Sequence, residues 1–116
     1  MVVEDEPLEA LDYCDRLREL GAEIAGPFCS VAEALEFMRS DTVDVALLDH
    51  ALADSNSDGL QTALTGRGIP FVVLTGYPRV LGRRKGNQLV LSKPVSPELL
   101  CRTVEAAAKS TQAAPR

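Results

Sequence analysis

Two short stretches of this chain are apolar at nearly every position. Val43-Asp44-Val45-Ala46-Leu47-Leu48 and Ile69-Pro70-Phe71-Val72-Val73-Leu74 are each bounded by turn-forming residues. They are too short for buried helices, and they do not alternate as a half-wet strand would. Runs of this kind are strands covered on both faces, the signature of a parallel sheet between helices. The remaining pattern agrees. Met1-Val2-Val3 is a third apolar run, Gln88–Leu91 a weaker one, and Ala22–Cys29 reads as a strand bent at Gly26-Pro27.

Helical patterns fall between them. Pro7 suits a first turn, Leu8, Leu11, Cys14, Leu17 and Leu20 form the expected apolar stripe, and Gly21 stops it. Ser30 and Glu33 make a capping box ahead of a stripe of Val31, Ala34, Leu35 and Met38. A short helix is expected from Asp58 to Thr65, ended by Gly66 and Gly68. A last one follows Ser96-Pro97-Glu98, with Leu100, Val104 and Ala107 or Ala108 inward. Strand and helix alternate, which predicts an α/β, doubly wound sheet of five parallel strands with helices on both faces. Only twelve residues, including Pro78, Gly82 and Gly86, separate Thr75 from Gln88. The fourth crossover helix is therefore expected to be shortened or absent.

The 116 residues fit one domain, expected over 1–109, with 110–116 a flexible tail. No apolar run approaches the length of a membrane span, and no basic segment precedes an apolar one as in a secretory signal. The net charge of −5 argues against duplex DNA as a partner. Cys14, Cys29 and Cys101 show no metal or disulfide spacing, so reduced thiols and a cytoplasmic location are expected.

Chemistry-bearing residues follow the strands. Glu4 and Asp5 come after the first, Asp49 after the third, Thr75 after the fourth and Lys93 after the fifth. Ligands of open α/β sheets bind at that edge. Crowded carboxylates repel unless a divalent cation joins them, and all-oxygen ligation favours Mg²⁺, or Mn²⁺ in its place. An ammonium and a hydroxyl alongside make an anion site next to a carboxylate nucleophile, the minimum for phosphoryl transfer. Taken singly each residue has a plainer reading: helix-start acids complement the dipole, and Lys93-Pro94 is a turn. The ordered set is what is specific.

Over nearly its whole length the chain resembles the receiver domain of two-component response regulators. The likeness is carried by Val2-Val3-Glu4-Asp5-Glu6-Pro7, Val45-Ala46-Leu47-Leu48-Asp49, Val72-Val73-Leu74-Thr75-Gly76 and Ser92-Lys93-Pro94. The resemblance implies a flavodoxin-like sheet of order 2-1-3-4-5. It implies Asp49 as phosphoacceptor, Asp5 as direct Mg²⁺ ligand, Glu4 acting through water, and the Ala51 backbone carbonyl as a further ligand. Thr75 takes the role of switch hydroxyl, Lys93 that of phosphate partner with a cis bond to Pro94, and Gly76 leaves the site open. Pro70-Phe71-Val72-Val73-Leu74-Thr75-Gly76-Tyr77 further resembles the Pro-Phe-x-Phe-Ala-Thr-Gly-Tyr signature of an alphaproteobacterial subgroup, departing at Val73 and Leu74. That subgroup has a degenerate fourth helix and is associated with HWE-type histidine kinases.

The departures also count. Val90 stands where receivers carry a switch aromatic, with Tyr77 a candidate substitute, and the first strand lacks the residues that usually precede it. His50, next to Asp49, is expected to point away from the site. Arg79, Arg83, Arg84 and Lys85 make a basic loop, solvated or an acidic partner's dock.

The function expected is a phosphorylation-dependent signalling switch, a phosphoprotein of a phosphorelay rather than an enzyme on a separate substrate, although receivers catalyse their own phosphorylation and dephosphorylation. A histidine kinase or phosphotransfer protein donates, and output goes through protein contact, either alone or as a piece of a longer protein such as a hybrid kinase. A homodimer is compatible with the family, although a shortened fourth helix weakens its usual mode. The rivals are a pseudo-receiver that only binds partners and a small Mg²⁺-dependent phosphatase, which Asp49-His50-Ala51 disfavours by lacking a second acid.

Overall fold

The two uninterrupted apolar runs lie side by side at the centre of a parallel sheet in a computed structural model of the chain, which describes residues 1–52, 57–76 and 88–113. In chain order the elements are β1 (Val2–Val3), α1 (Pro7–Glu19), α2 (Val31–Met38), β2 (Ala46–Asp49), α3 (Asp58–Gly66), β3 (Phe71–Thr75), β4 (Gln88–Ser92) and α4 (Pro97–Ala113). The strands pair in the order β1-β2-β3-β4, all parallel.

The sheet has four strands among the described residues rather than five. The segment expected as the second strand keeps its place on the far side of β1 but is reduced to one parallel bridge, Val3 to Phe28. The amide of Val2 donates to Ala25 and those of Glu4 and Phe28 complete the contact. Pro27 has no N–H to give a ladder, and Gly26 turns at φ +106° immediately before it. The order 2-1-3-4-5 survives with that strand shortened to a bridge. The fourth crossover segment, with Tyr77 and the basic loop, lies outside the described residues.

Side chains alternate across the sheet, so each strand feeds two cores. Val3, Ala46, Leu48, Phe71 and Val73 pack on Val31, Ala34 and Met38 of α2 and Leu60 and Leu64 of α3. Val2, Leu47, Val72 and Leu74 pack on Tyr13, Cys14 and Leu17 of α1 and Leu100, Val104 and Ala107 of α4. Truncating a residue such as Phe71 or Leu48 to alanine is worth about 3 kcal/mol or more.

The helix ends follow local chemistry. Ser30 Oγ accepts from the Glu33 amide at 3.2 Å, and Glu33 reaches back to the Cys29 amide at 3.1 Å. Gly21 at φ +90° ends α1, with its amide and that of Ala22 returning to Arg18 and Leu17 carbonyls. Two stripes are corrected. The buried face of α1 is Ala10, Tyr13, Cys14 and Leu17, leaving Leu8 and Leu11 76% and 54% exposed and Leu20 also outside. On α2 Leu35 is exposed, while Val31, Ala34 and Met38 are buried. Finally, α4 continues to Ala113, beyond the boundary at residue 109 expected from sequence. Among the described residues no helix is long and apolar enough to cross a membrane.

Candidate functional site

Parallel pairing places the polar residues at one edge in steps. Asp49, the last residue of β2, is paired with Leu74; Thr75, the next residue and the last of β3, is paired with Ser92; Lys93 follows at once. The Lys93 amide donates to the Thr75 carbonyl at 2.7 Å, and the His50 amide to Leu74 at 2.9 Å, so hydrogen bonds tie the three strand ends together. On the other side of β2, Val3 pairs with Leu48, which carries Glu4 and Asp5 to the same edge.

Side-chain geometry closes the cluster. Carboxylate oxygens of Glu4, Asp5 and Asp49 lie within 4.8 Å of one another. Lys93 Nζ donates to Asp49 Oδ2 at 2.8 Å and stands 3.8 Å from Glu4 Oε1. The Ala51 amide donates to Asp49 Oδ1 at 3.3 Å, which holds the backbone of residue 51 beside the acids. Asp49 and Thr75 are buried and Asp5 is half-buried. The peptide bond from Lys93 to Pro94 is cis. All the acids singled out in the sequence, together with Thr75 and Lys93, therefore share one edge. His50 is half-buried, with its Nδ1 buried and without a hydrogen-bond partner.

Electrostatics show what the cluster lacks. Glu4 is 2% exposed, and neither of its carboxyl oxygens accepts a hydrogen bond. Burial, joined by the close approach of the Asp49 and Glu9 carboxyls, pushes its pKa up from the ordinary carboxylate range to about 10. Burial alone pulls the Lys93 ammonium down, but the Asp49 hydrogen bond and the charges of Glu4, Asp49 and Glu9 outweigh it and the net shift is upward. Orphaned buried oxygens beside two further carboxylates fit a hard divalent cation such as Mg²⁺, which takes oxygen ligands and keeps waters.

One member of the cluster was not legible as such. Glu9, in the first turn of α1, places Oε2 3.5 Å from Lys93 Nζ. An acid there reads as a dipole complement. Its spacing of four and five residues from Asp5 and Glu4 was the available signal, since a helix starting at Pro7 directs it back over the same edge.

A cavity of about 790 Å³ lies at the other end of the strands, among Met1, Leu17, Ile24, Val45 and Val104, and holds none of these residues. Burial pushes the Cys14 and Cys101 thiols up, away from reactivity.

No family model matches the chain. Known proteins do. Phyllosphere-induced regulator PhyR of Methylorubrum extorquens is 29% identical over 102 residues, covering 84% of this chain and 38% of that protein. The solution structure of the PhyR response regulator receiver domain of Erythrobacter litoralis is 31% identical with a TM-score of 0.79, covering 99% of this chain and 93% of that one. The chain belongs to the response regulator receiver family. A mutant form of the anti-anti-sigma factor PhyR of Bartonella quintana matches with a TM-score of 0.85 and 27% identity, over 98% of this receiver and 49% of that chain. The receiver thus spans less than half of the curated relative and about half of the Bartonella protein.

Proposed function

We propose that this receiver is a phosphorylation-dependent signalling switch in which Asp49 accepts a phosphoryl group. The observation that supports it most is the Asp49 carboxylate, with Oδ2 2.8 Å from the Lys93 ammonium and oxygens of Glu4 and Asp5 within 4.8 Å. A carboxylate oxygen of Asp49 attacks phosphorus, the bond from phosphorus to the donor's imidazole nitrogen breaks, and that nitrogen takes up a proton as it leaves. Lys93 turns from Asp49 to the phosphoryl oxygens, and Thr75, buried at the end of β3, offers its hydroxyl to the same group. Asp5, Asp49, the Ala51 carbonyl and, through water, Glu4 would hold Mg²⁺, which neutralises charge on the phosphoryl oxygens when bound.

The donor is a histidine kinase, of the HWE type by the subgroup likeness, or a phosphotransfer protein. Output runs through protein contact. The description of the Bartonella relative as an anti-anti-sigma factor makes an anti-sigma factor the partner class to test. Both states must differ in contacts for partner affinity to change, and the Thr75 and Lys93 bonds made only to the phosphoryl group supply that difference. The protein turns over no separate substrate; it catalyses only its own phosphorylation and dephosphorylation, in the cytoplasm.

Incubation with acetyl phosphate and Mg²⁺ tests the reading. The wild-type chain is expected to take one alkali-labile phosphoryl group, and Asp49→Asn none. Label that survives in Asp49→Asn, or steady release of phosphate from phosphoesters as a phosphatase would give, contradicts it.

A further inference from the structure

We infer that Glu9 is a positioning residue that holds Lys93 over Asp49 and makes the site discriminate against doubly charged phosphodonors. The inference rests on Asp49 being the phosphoacceptor. Glu9 is 84 residues from Lys93 in sequence, yet its Oε2 accepts a hydrogen bond from Nζ at 3.5 Å. Its side chain is 43% exposed, against 11% for Asp49. Glu9 therefore flanks the ammonium on the solvent side, where a donor arrives, while Asp49 holds it from within.

Charge decides what that placement does. Among the described residues the cluster has four carboxylates, Glu4, Asp5, Glu9 and Asp49, and one cation, Lys93. With a divalent cation bound, Glu4 would give up the proton that burial favours, and the four negative and three positive charges would leave a net of −1. Without Glu9 the same set is neutral. An anionic donor thus meets a residual negative charge that comes from Glu9, and the penalty grows with the donor's own charge. At about 5 Å and an effective dielectric constant near 20, discounted for the exposure of Glu9, one added unit of donor charge is worth about threefold to tenfold in rate. Glu9 also restrains Lys93 directly. The ammonium that must turn to the phosphoryl oxygens is already shared between two carboxylates, so Glu9 fixes its height above Asp49 while competing for it.

The test compares initial phosphorylation rates with acetyl phosphate, a dianion at neutral pH, and phosphoramidate, which carries one net negative charge there. Wild type, Glu9→Gln and Glu9→Asp are measured with saturating Mg²⁺. Glu9→Gln is expected to raise the ratio of the acetyl phosphate rate to the phosphoramidate rate about threefold to tenfold, and Glu9→Asp to keep the wild-type ratio. High salt should narrow the difference between Glu9→Gln and wild type. A change in which Glu9→Gln alters both rates by the same factor, or neither, overturns the inference while leaving Asp49 as phosphoacceptor. A wild-type chain labelled by neither donor overturns the reading of Asp49, and this inference with it.

Discussion

The Lys93 ammonium lies 2.8 Å from Asp49 Oδ2, with 44 residues of chain between them. The pair joins the ends of β2 and β4, which do not touch each other in the sheet because β3 lies between. Lys93 is the only positive charge that faces Glu4, Asp49 and Glu9 together among the described residues.

Replacing Lys93 with methionine keeps the length of the side chain and removes its charge. Partly buried carboxylates then repel without a counter-charge, and in metal-free buffer the variant is expected to lose about 1–2 kcal/mol of stability in urea denaturation. Mg²⁺ should recover most of that loss. Equal stability of variant and wild type in the absence of metal would show that the ion pair contributes nothing to the fold.

A cation that binds only the folded chain raises its melting temperature by mass action. At one hundred times the dissociation constant the gain is about 2.7 kcal/mol, which is several degrees for a domain of this size. Thermal denaturation across a Mg²⁺ titration measures it. Asp5→Asn is expected to abolish most of the shift, whereas Asp12→Asn, on the outer face of α1, should leave it unchanged.

The residues on the two sides of this cluster differ in how far the sequence exposed them. Asp49, Thr75 and Lys93 were legible because each closes an apolar run, and the run itself announces a buried parallel strand. Glu9 was not, because a first-turn acid has an ordinary explanation and only the rotation of α1 over the sheet reveals another. The same rotation explains the leucine error. Leu8, Leu11, Leu17 and Leu20 all recur at helical spacing, but Ala10, Tyr13, Cys14 and Leu17 face the sheet, and small or polar residues hid that face. The bridge at Phe28 differs from a full strand for a local reason, Pro27, whose effect on a ladder depends on which partner sits opposite.

Tyr13 offers a pH signature. Burial, assisted by the Glu9 carboxylate, pushes its phenol from 10.0 up to about 12. Below pH 10 the phenol is neutral in folded and unfolded chains alike, and its contribution to stability is complete. As pH rises from 10 towards 12 the unfolded chain releases the proton while the folded chain keeps it, so stability falls. Absorbance of tyrosinate in a Tyr77→Phe background is expected to show Tyr13 ionising near 12 and a stability loss over the same window. Ionisation at 10 with no change in stability would contradict the burial described.

Gly26 is held where a side chain does not fit. A Cβ there would lie 2.7 Å from the Val2 carbonyl oxygen and 2.8 Å from the Phe28 nitrogen, at φ +106°. Gly26→Ala is expected to lose about 1–3 kcal/mol in chemical denaturation and to increase hydrogen exchange at the Phe28 and Glu4 amides that form the bridge. An unchanged midpoint would show that this segment is not seated against β1.

The central claim is that one edge of the sheet gathers a cation site and a phosphoryl site around Asp49. It is tested most directly by amide chemical shifts during a titration with Mg²⁺ followed by beryllofluoride, a phosphoryl mimic. The account predicts that Mg²⁺ moves Glu4, Asp5, Asp49 and Ala51 first. Beryllofluoride should then move Asp49, Thr75 and Lys93 only when Mg²⁺ is present. Shifts confined to other parts of the chain, or a beryllofluoride response at Thr75 and Lys93 that persists in Asp49→Asn, would contradict it.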